Sequence, residues 1–381
     1  MPSPNGSLAA AYQGAVRRNA ELAGLAALRA RYEAELSLTN SLVPRSPTLS
    51  GGVRGDQVFR NKGVREFEGA ADVPIWLPGE SGAQANVARA ELARLDARLA
   101  NQRLVVAGEV RDAYFRFAVA ASAINIARRR IDEAQEIEAD LVRRVAAGEA
   151  QEADLFLARS ETVEARTQLQ EAEIALREAT LTFEALTGVR PPQGFTEATR
   201  GERTPGQNPR LTALARTVEV GRASVRLAEV QIIDNPTVGA FLRNERDSRD
   251  EPSTTSGGLR FSVPIPIAAR TNARVAAARA EVAAAQAEFQ AAERQIRSEI
   301  EIARVQLTSA RAQADLAEQR FQFLTGQVEL VRRAFRAGEV GVLEFLRQRN
   351  VLLAAELARM RALVAVRQAI SRLNQANGFG L

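Results

Sequence analysis

Two stretches of the chain carry acidic side chains at the same place in the same phrase. They are AAGEAQEADL at 146–155 and RAGEVGVLEF at 336–345, and Asp154 and Glu344 each lie six residues beyond the glycine of their phrase. Such carboxylates attract cations and repel anions over about a Debye length. The chain has no His and no Cys, which excludes thiol nucleophiles, His acid–base catalysis and the usual zinc sites. We therefore expect no catalytic, cofactor or metal site, and an enzyme is the function that the residues favour least.

The composition is typical of long helices. Apolar residues make up 46 % of the 381 positions, aromatic residues only 5 %, and Ala, Leu, Glu, Arg and Gln dominate. The net charge of +5 comes almost wholly from Arg interspersed with Glu, which indicates solvated helix faces and no nucleic-acid surface. No apolar run reaches about 18 residues, so no transmembrane helix is predicted. No signal peptide is visible, and we expect either a cytosolic protein or a signal that has been removed.

Sequence landmarks of the first half of the chain recur in the second half at a constant separation. The matching landmarks are Val73-Pro74-Ile75 with Val263-Pro264-Ile265, Gly148 with Gly338, and Gly188 with Gly378. The stretch between the repeats is rich in Pro, Gly and polar residues, as linkers are. We predict a first structural repeat at 1–188, a linker at 189–207 and a second repeat at 208–381.

Each repeat is predicted to contain a helix, two strands, a long helix and a shorter helix. The first repeat has a helix at about 7–40, a β-hairpin at about 43–78 and a helical hairpin at about 82–188. The second has a helix at about 208–234, a β-hairpin at about 236–267 and a helical hairpin at about 271–376. Apolar residues alternate 3 and 4 positions apart along the long helices, which predicts antiparallel coiled coil about 100 Å long. The fold class is mainly α with a small β part.

The predicted strands alternate between apolar and polar residues. Their apolar positions include Leu49, Val53, Phe67, Val73, Ile75, Val238, Leu242, Leu259, Phe261, Val263 and Ile265. Strands of about 8–12 residues suit either a half-buried sheet packed on the helices or a tilted crossing of a bilayer. The long helix seams leave no spare apolar face to cover a sheet, which favours lipid. Four strands cannot close a barrel, so several copies of the chain would have to share one.

The duplicated unit, the Val-Pro-Ile strand ends and the glycine-centred turns together resemble the TolC-like outer-membrane efflux protein family, also called outer membrane factors. The resemblance covers the whole chain. The stretch FSVPIPIAARTNARVAAARAEV is similar to the subgroup that serves heavy-metal-resistance pumps. The resemblance implies a homotrimer with a twelve-stranded β-barrel in the lipid of the bacterial outer membrane. A long α-helical coiled-coil barrel would continue it into the periplasm, and the absent signal peptide would have been removed.

The family resemblance also implies a function and its sites. The trimer would be a passive exit duct, energised by an inner-membrane transporter and docked by a periplasmic adaptor at the hairpin turns. The docking residues would be Gly148, Glu149, Ala150, Gln151, Gly338, Glu339, Val340, Gly341 and Val342, although these could be hairpin turns alone. Asp154 and Glu344 would give a trimer a ring of six carboxylates at a pore constriction, or be solvated acids.

Arg347 departs from the family pattern, because a second acid can occur at this place. It would pair with Glu344 three residues earlier or with a neighbouring helix. A competing interpretation is a soluble or periplasmic coiled-coil scaffold or adaptor. An adaptor would show one helical hairpin flanked by half-motifs and globular β domains, whereas this chain shows two equal units.

Overall fold

Helices make up most of the computed structural model, which describes residues 7–58 and 62–381. The helices are α1 (Leu8–Arg18), α2 (Ala20–Leu38), α3 (Glu80–Ala146), α4 (Glu152–Thr187), α5 (Pro209–Val230), α6 (Ala268–Arg336) and α7 (Val342–Ala376). The strands are β1 (Thr48–Gly55), β2 (Arg65–Pro74), β3 (Thr237–Arg246) and β4 (Thr254–Ser262). The prediction of a mainly helical fold with a small antiparallel sheet is confirmed.

The first predicted helix is interrupted at Asn19. The backbone of Asn19 has φ −72° and ψ 114°, which is extended, and its side-chain oxygen accepts a hydrogen bond from the N–H of Leu22 at 2.9 Å. An Asn side chain caps the start of a helix in this way. The expected helix at about 7–40 is therefore two helices, α1 and α2.

The four strands form one antiparallel sheet in the order β1-β2-β3-β4. The central pair, β2 and β3, joins the two hairpins and places Val73 opposite Val238. Because alternate residues of a strand share a face, the register separates the side chains into two sets. One set includes Leu49, Val53, Phe67, Val73, Val238, Leu242, Leu259 and Phe261, and the other includes Arg54, Glu66, Glu68, Asp72, Arg243 and Arg260.

Two strands end earlier than the alternating pattern predicts. β4 ends before Val263 and Ile265, and β2 ends one residue before Ile75. Pro264 has no N–H to donate to a neighbouring strand, so the ladder of β4 cannot continue through it. We therefore correct the placement of these three apolar residues, which lie just beyond the strands and not within them.

Helix α6 has two apolar faces. The predicted seam is buried, and its buried members are Ile296, Ala303, Leu307, Ala314, Val328 and Phe335. Another stripe along the same helix is exposed, and it consists of Val305, Leu316, Phe323 and Leu330. The helix therefore buries one apolar face within the chain and leaves the other free.

The chain divides into two compact units. One comprises residues up to 23, 100–209 and 293–381, and the other comprises 24–99 and 210–292. The first contains both turns between long helices, and the second contains the sheet, so each unit draws on both sequence repeats. In the part of the chain that the structure describes, no helix has an apolar run that would carry it through a bilayer.

Candidate functional site

The two long helices, α3 and α6, each end in a turn of the same type. Gly148 and Gly338 both have a φ of 78°, a left-handed conformation that glycine adopts without steric cost. In the first turn, the N–H of Gly148 donates to the carbonyl of Val145 at 3.0 Å, and the N–H of Glu149 donates to the carbonyl of Arg144 at 2.8 Å. The second turn repeats the two bonds at 3.1 and 2.9 Å. This pair of bonds is a Schellman cap, so the repeated phrase encodes a repeated helix end.

Most of the predicted docking residues lie at the surface of this chain. The exposed ones are Gly148, Glu149, Gln151, Gly338, Glu339 and Gly341. Ala150 and Val340 are half-buried. Val342 is only 2 % exposed and belongs to the hydrophobic core beneath the turns. We therefore correct its assignment to the exposed docking surface.

A hydrophobic cluster beneath the turns joins the two helical hairpins. Its buried members come from four helices and are Leu141, Ala158, Phe335, Val342, Phe345 and Leu346. The rings of Phe335 and Phe345 stack with centroids 4.9 Å apart, and the guanidinium of Arg144 lies 5.0 Å from the Phe335 ring centre. Such a cation over an aromatic face is attracted by the ring quadrupole. Because both hairpins share this cluster, it holds the two turns together.

The two acids of the predicted constriction occupy equivalent places. Asp154 lies in the first turn of α4 and Glu344 in the first turn of α7, where the helix dipole stabilises negative charge. Glu344 accepts a hydrogen bond from the side chain of Gln348 at 2.7 Å, and this contact takes the place of the expected pair with Arg347. Arg347 is exposed, lines a groove of about 500 Å³ between α4 and α7, and makes no ion pair within the described residues.

A buried polar network near the turns was not predicted. Arg349 is 4 % exposed, and its guanidinium donates to the carboxylate of Glu133 at 2.9 and 3.1 Å and to the carbonyl of Arg130 at 3.3 Å. Arg130 in turn pairs with Glu161 at 2.6 Å, so the network links α3, α4 and α7. Arg349 falls four residues after the buried Phe345, within the apolar seam of α7. That position is the sequence signal that could have identified it.

A second unpredicted network fixes the linker. Arg111 holds both carboxylate oxygens of Glu197, at 3.1 and 2.7 Å, and also donates to the carbonyls of Phe379 and Gly380 at 3.0 and 3.3 Å. Burial alone would raise the pKa of Glu197, but hydrogen bonds from Arg111 and Ser371 outweigh it and hold the pKa below its usual value. Arg111 therefore binds the linker to α3 and to the residues that follow α7.

The apolar face of the sheet and the apolar residues just beyond its strands are largely exposed. Of the eleven residues predicted to face lipid, nine are 44–87 % exposed: Leu49, Val53, Phe67, Ile75, Leu242, Leu259, Phe261, Val263 and Ile265. Val73 and Val238 are half-buried and lie opposite each other. An exposed apolar surface of this extent marks a site of contact with a membrane or another protein.

The opposite face of the sheet is charged and paired. Arg243 contacts Glu66 at 2.9 Å and Glu68 at 2.7 Å. Arg260 pairs with Asp72 and lies 3.8 Å from Glu68. Opposite charges on neighbouring strands stabilise a sheet whose polar side meets water. The sheet therefore presents one apolar face and one ionic face.

The chemistry that the structure offers is electrostatic. Within the residues that the structure describes, no three His, Cys, Asp or Glu side chains come together to hold a metal ion. The candidate functional features are two exposed helix turns, a pair of acids one turn beyond them, and a sheet with two different faces. These features suit contact with other molecules and electrostatic attraction of cations.

Comparison with known proteins finds similarity to outer membrane efflux proteins. Residues 202–378 match the model of the family described as outer membrane efflux protein. The cobalt-zinc-cadmium resistance protein CzcC of Cupriavidus metallidurans is 26 % identical over 228 residues. That alignment covers 57 % of this chain and 54 % of CzcC, so the chain matches about half the length of this curated relative.

Solved structures share the fold across nearly the whole chain. CusC superimposes with a TM-score of 0.80 at 17 % identity, covering 98 % of this chain and 92 % of CusC. The CmeC outer membrane channel of Campylobacter jejuni gives 0.79 at 18 % identity, covering 98 % of this chain and 86 % of CmeC. VceC, an outer membrane protein of Vibrio cholerae, gives 0.76 at 16 % identity, covering 98 % of this chain and 96 % of VceC. At such identities these likenesses establish the fold.

Proposed function

We propose that this chain is a member of the outer membrane efflux protein family and forms the exit duct of a tripartite efflux pump in the bacterial outer membrane. The observation that carries the proposal is the two-faced sheet. Its apolar face is exposed to a degree that water would penalise, and its charged face is internally paired. Strands that are apolar on one side and polar on the other suit a barrel wall between lipid and an aqueous lumen.

The open edges of the sheet support assembly from several copies. Within one chain, β1 and β4 each have a neighbour on one side only. Unpaired backbone groups in hydrocarbon cost several kcal/mol each, so a membrane sheet has to close. Pairing β4 of one copy with β1 of the next removes both edges. Three chains of four strands then give a barrel of twelve strands, continued by a helical barrel in the periplasm.

The two turns are the proposed docking surface for a periplasmic adaptor. Gly148 and Gly338 present identical backbone caps, with the exposed acids Glu149 and Glu339 beside them. Three copies offer six such turns, arranged as three identical pairs by the cluster that joins the hairpins. The adaptor would connect this end to an inner-membrane transporter, which supplies the energy. The duct itself conducts passively.

The proposed cargo is a divalent metal cation. This part of the proposal follows from the relative whose name records resistance to cobalt, zinc and cadmium. Asp154 and Glu344 would form a ring of six carboxylates at the narrow end, and such a ring concentrates cations by long-range attraction. Arg347, one turn further along α7, would reduce the negative potential of the ring.

A soluble coiled-coil scaffold is the competing function, and the sheet argues against it. A scaffold in water would bury the apolar side chains of its sheet, whereas Leu49 is 87 % and Val53 77 % exposed.

Detergent dependence and heat resistance test the proposed duct. We expect extraction only with detergent, and an unheated gel band of three chains of 41.3 kDa that collapses to one chain on boiling. Reconstitution into planar bilayers should give discrete conductance steps. Recovery of a monodisperse monomer from water without detergent would overturn the proposal.

A further inference from the structure

Two helices of the same compact unit carry an apolar stripe that the described chain leaves uncovered. On α4 the stripe consists of Phe156, Val163, Ile174 and Leu181, which are 48–63 % exposed. On α6 it consists of Val305, Leu316, Phe323 and Leu330, which are 61–76 % exposed. Successive members of each stripe are about two or about three helical turns apart, so each stripe is a nearly straight line along one face.

Most members of the two stripes lie at equal distances along the sequence from the turn glycines of their own hairpins. Helix α4 runs away from Gly148, and α6 runs towards Gly338, so equal counts mean equal levels along antiparallel helices. The cluster shared by the hairpins holds the two turns together, which fixes a common origin for both counts. In three pairs, both members lie equally far along the sequence from the glycine of their own hairpin: Phe156 and Leu330, Val163 and Phe323, and Leu181 and Val305.

The remaining members fit the same register. Leu316 precedes Gly338 by as many positions as Gln170 follows Gly148, so these two side chains share a level. By the same count, Ile174 lies at the level of Ala312. A large residue facing a small or flexible one is compatible with knobs-into-holes packing. The register therefore places no apolar stripe residue opposite a charge.

The stripes do not pair with each other inside one chain, because the side chains of both are exposed there and each helix buries a different face. The buried faces include Ala158, Ala165 and Phe183 on α4, and Ile296, Leu307 and Val328 on α6. Polar contacts between the hairpins run from α7 to α3 and α4, through Arg349 with Glu133, Glu356 with Arg129 and Asn350 with Glu161. The exposed stripes are thus the second faces of α4 and α6.

We propose that the α4 stripe of one copy packs antiparallel against the α6 stripe of the next copy. The proposal rests on the trimer of the proposed function and names the surfaces that hold it together. The two patches differ, so the contact is heterologous, and repeating it gives a ring when three successive rotations between copies add up to a full turn. A second copy is the occupant because three of the four members of each stripe lie at matching levels, and both stripes belong to this same chain. An unrelated partner would require no such match.

Cysteine cross-linking tests the pairing, because the chain has no Cys of its own. A chain carrying Val163→Cys and an epitope-tagged chain carrying Phe323→Cys are expressed together, extracted in detergent and mildly oxidised. We expect a disulfide-linked pair that contains one chain of each kind. Each variant expressed alone should give no linked pair, since an α4 stripe meets an α6 stripe and not its own kind.

A mismatched pair tests the register. When chains carrying Val163→Cys and Val305→Cys are expressed together, the two cysteines still lie on the α4 and α6 stripes. Val305, however, lies at the level of Leu181 and not of Val163. We expect at least about tenfold less cross-linked product, because the levels differ by about 27 Å and a disulfide needs Cβ atoms within about 4.5 Å. The matched pair of Leu181→Cys with Val305→Cys should link as well as the first pair.

The outcomes separate this inference from the proposed function. A heat-resistant trimer in which neither matched pair links would overturn the stripe pairing and leave the duct intact, with an adaptor or lipid on the stripes. Linking of Val163→Cys to itself would show an isologous contact and would also overturn it. Absence of any trimer in the parent chain would overturn the proposed function itself.

Discussion

The ion pair between Arg111 and Glu197 allows a quantitative test of how the linker is held. Both side chains are nearly sealed from water, at 3 % and 6 % exposure. Replacing Glu197 by Leu leaves the guanidinium of Arg111 buried with neutral acceptors alone, such as the carbonyls of Phe379 and Gly380. Removing one partner of a buried pair costs about 3–5 kcal/mol, and we expect a loss of unfolding free energy of that size.

Two further variants test whether the buried, unpaired charge of Arg111 causes this loss of stability. Combining Glu197→Leu with Arg111→Met removes both charges, so we expect the loss to be smaller than for the single change by about 2 kcal/mol. Glu202 provides the matched control within the same linker, because its pair with Arg304 is 74 % and 38 % exposed. Glu202→Gln should cost less than about 1 kcal/mol, as exposed pairs do.

Thermal unfolding followed by circular dichroism at fixed protein and detergent concentration measures these differences. In a unit of about 200 residues, 1 kcal/mol shifts Tm by about 2–4 °C, so Glu197→Leu should lower Tm by on the order of 10 °C. A Glu197→Leu chain that unfolds within about 2 °C of the parent, as Glu202→Gln should, would refute the argument from burial.

Acid should weaken the parent chain through the same carboxylate. Because folding lowers the pKa of Glu197, its contribution to stability is complete above the unfolded pKa of about 4.3. The contribution is lost as the pH falls through the folded pKa. Glu197→Gln has no such contribution to lose. Its Tm should therefore fall less than that of the parent when the pH is lowered from about 5 to about 3.

Three other substitutions test the surfaces of the proposed duct. Glu344→Arg should reduce the preference for cations, read as the reversal potential across a planar bilayer in a salt gradient, and an unchanged potential would contradict the carboxylate ring. Glu339→Lys, beside Gly338, should abolish metal export by cells without changing the amount of trimer, and normal export would count against docking at the turns. Leu242→Arg on the apolar face should cost about 2–4 kcal/mol and deplete the heat-resistant trimer. Ser50→Arg on the charged face, opposite Ala70, should leave the trimer intact, and equal effects of these two changes would contradict the assignment of the faces.

The elements whose signals are local could be predicted from the sequence. Period-two alternation located all four strands, and the constant offset between the repeats led to the family that the match over 202–378 supports. Errors arose where one residue ended an element. Asn19 turned one helix into two through a side-chain cap, and Pro264 ended β4 before its apolar pattern did.

The buried networks could not be predicted, because they depend on partners far apart in the chain. Arg111 meets Glu197 only after the linker folds back on α3, and Arg349 meets Glu133 across two hairpins. In a sequence with so many Arg and Glu residues, a buried pair has the same appearance as a solvated one. Val342 was misplaced for a related reason, since its burial depends on aromatic residues of two different helices.

The pairing of β2 with β3 has a consequence for the order of events during folding. Pro74 pairs with Thr237 and Arg65 with Arg246, so the whole of α3, α4 and α5 lies between the partners in the chain. Contacts between such distant residues form slowly, because a long loop must close first. Until the later partners have been made, the inner edge of the first β-hairpin remains unpaired and prone to join other strands. A fragment that ends before Thr237 would therefore have a first hairpin with no strand to complete it, however well the helices of that fragment fold.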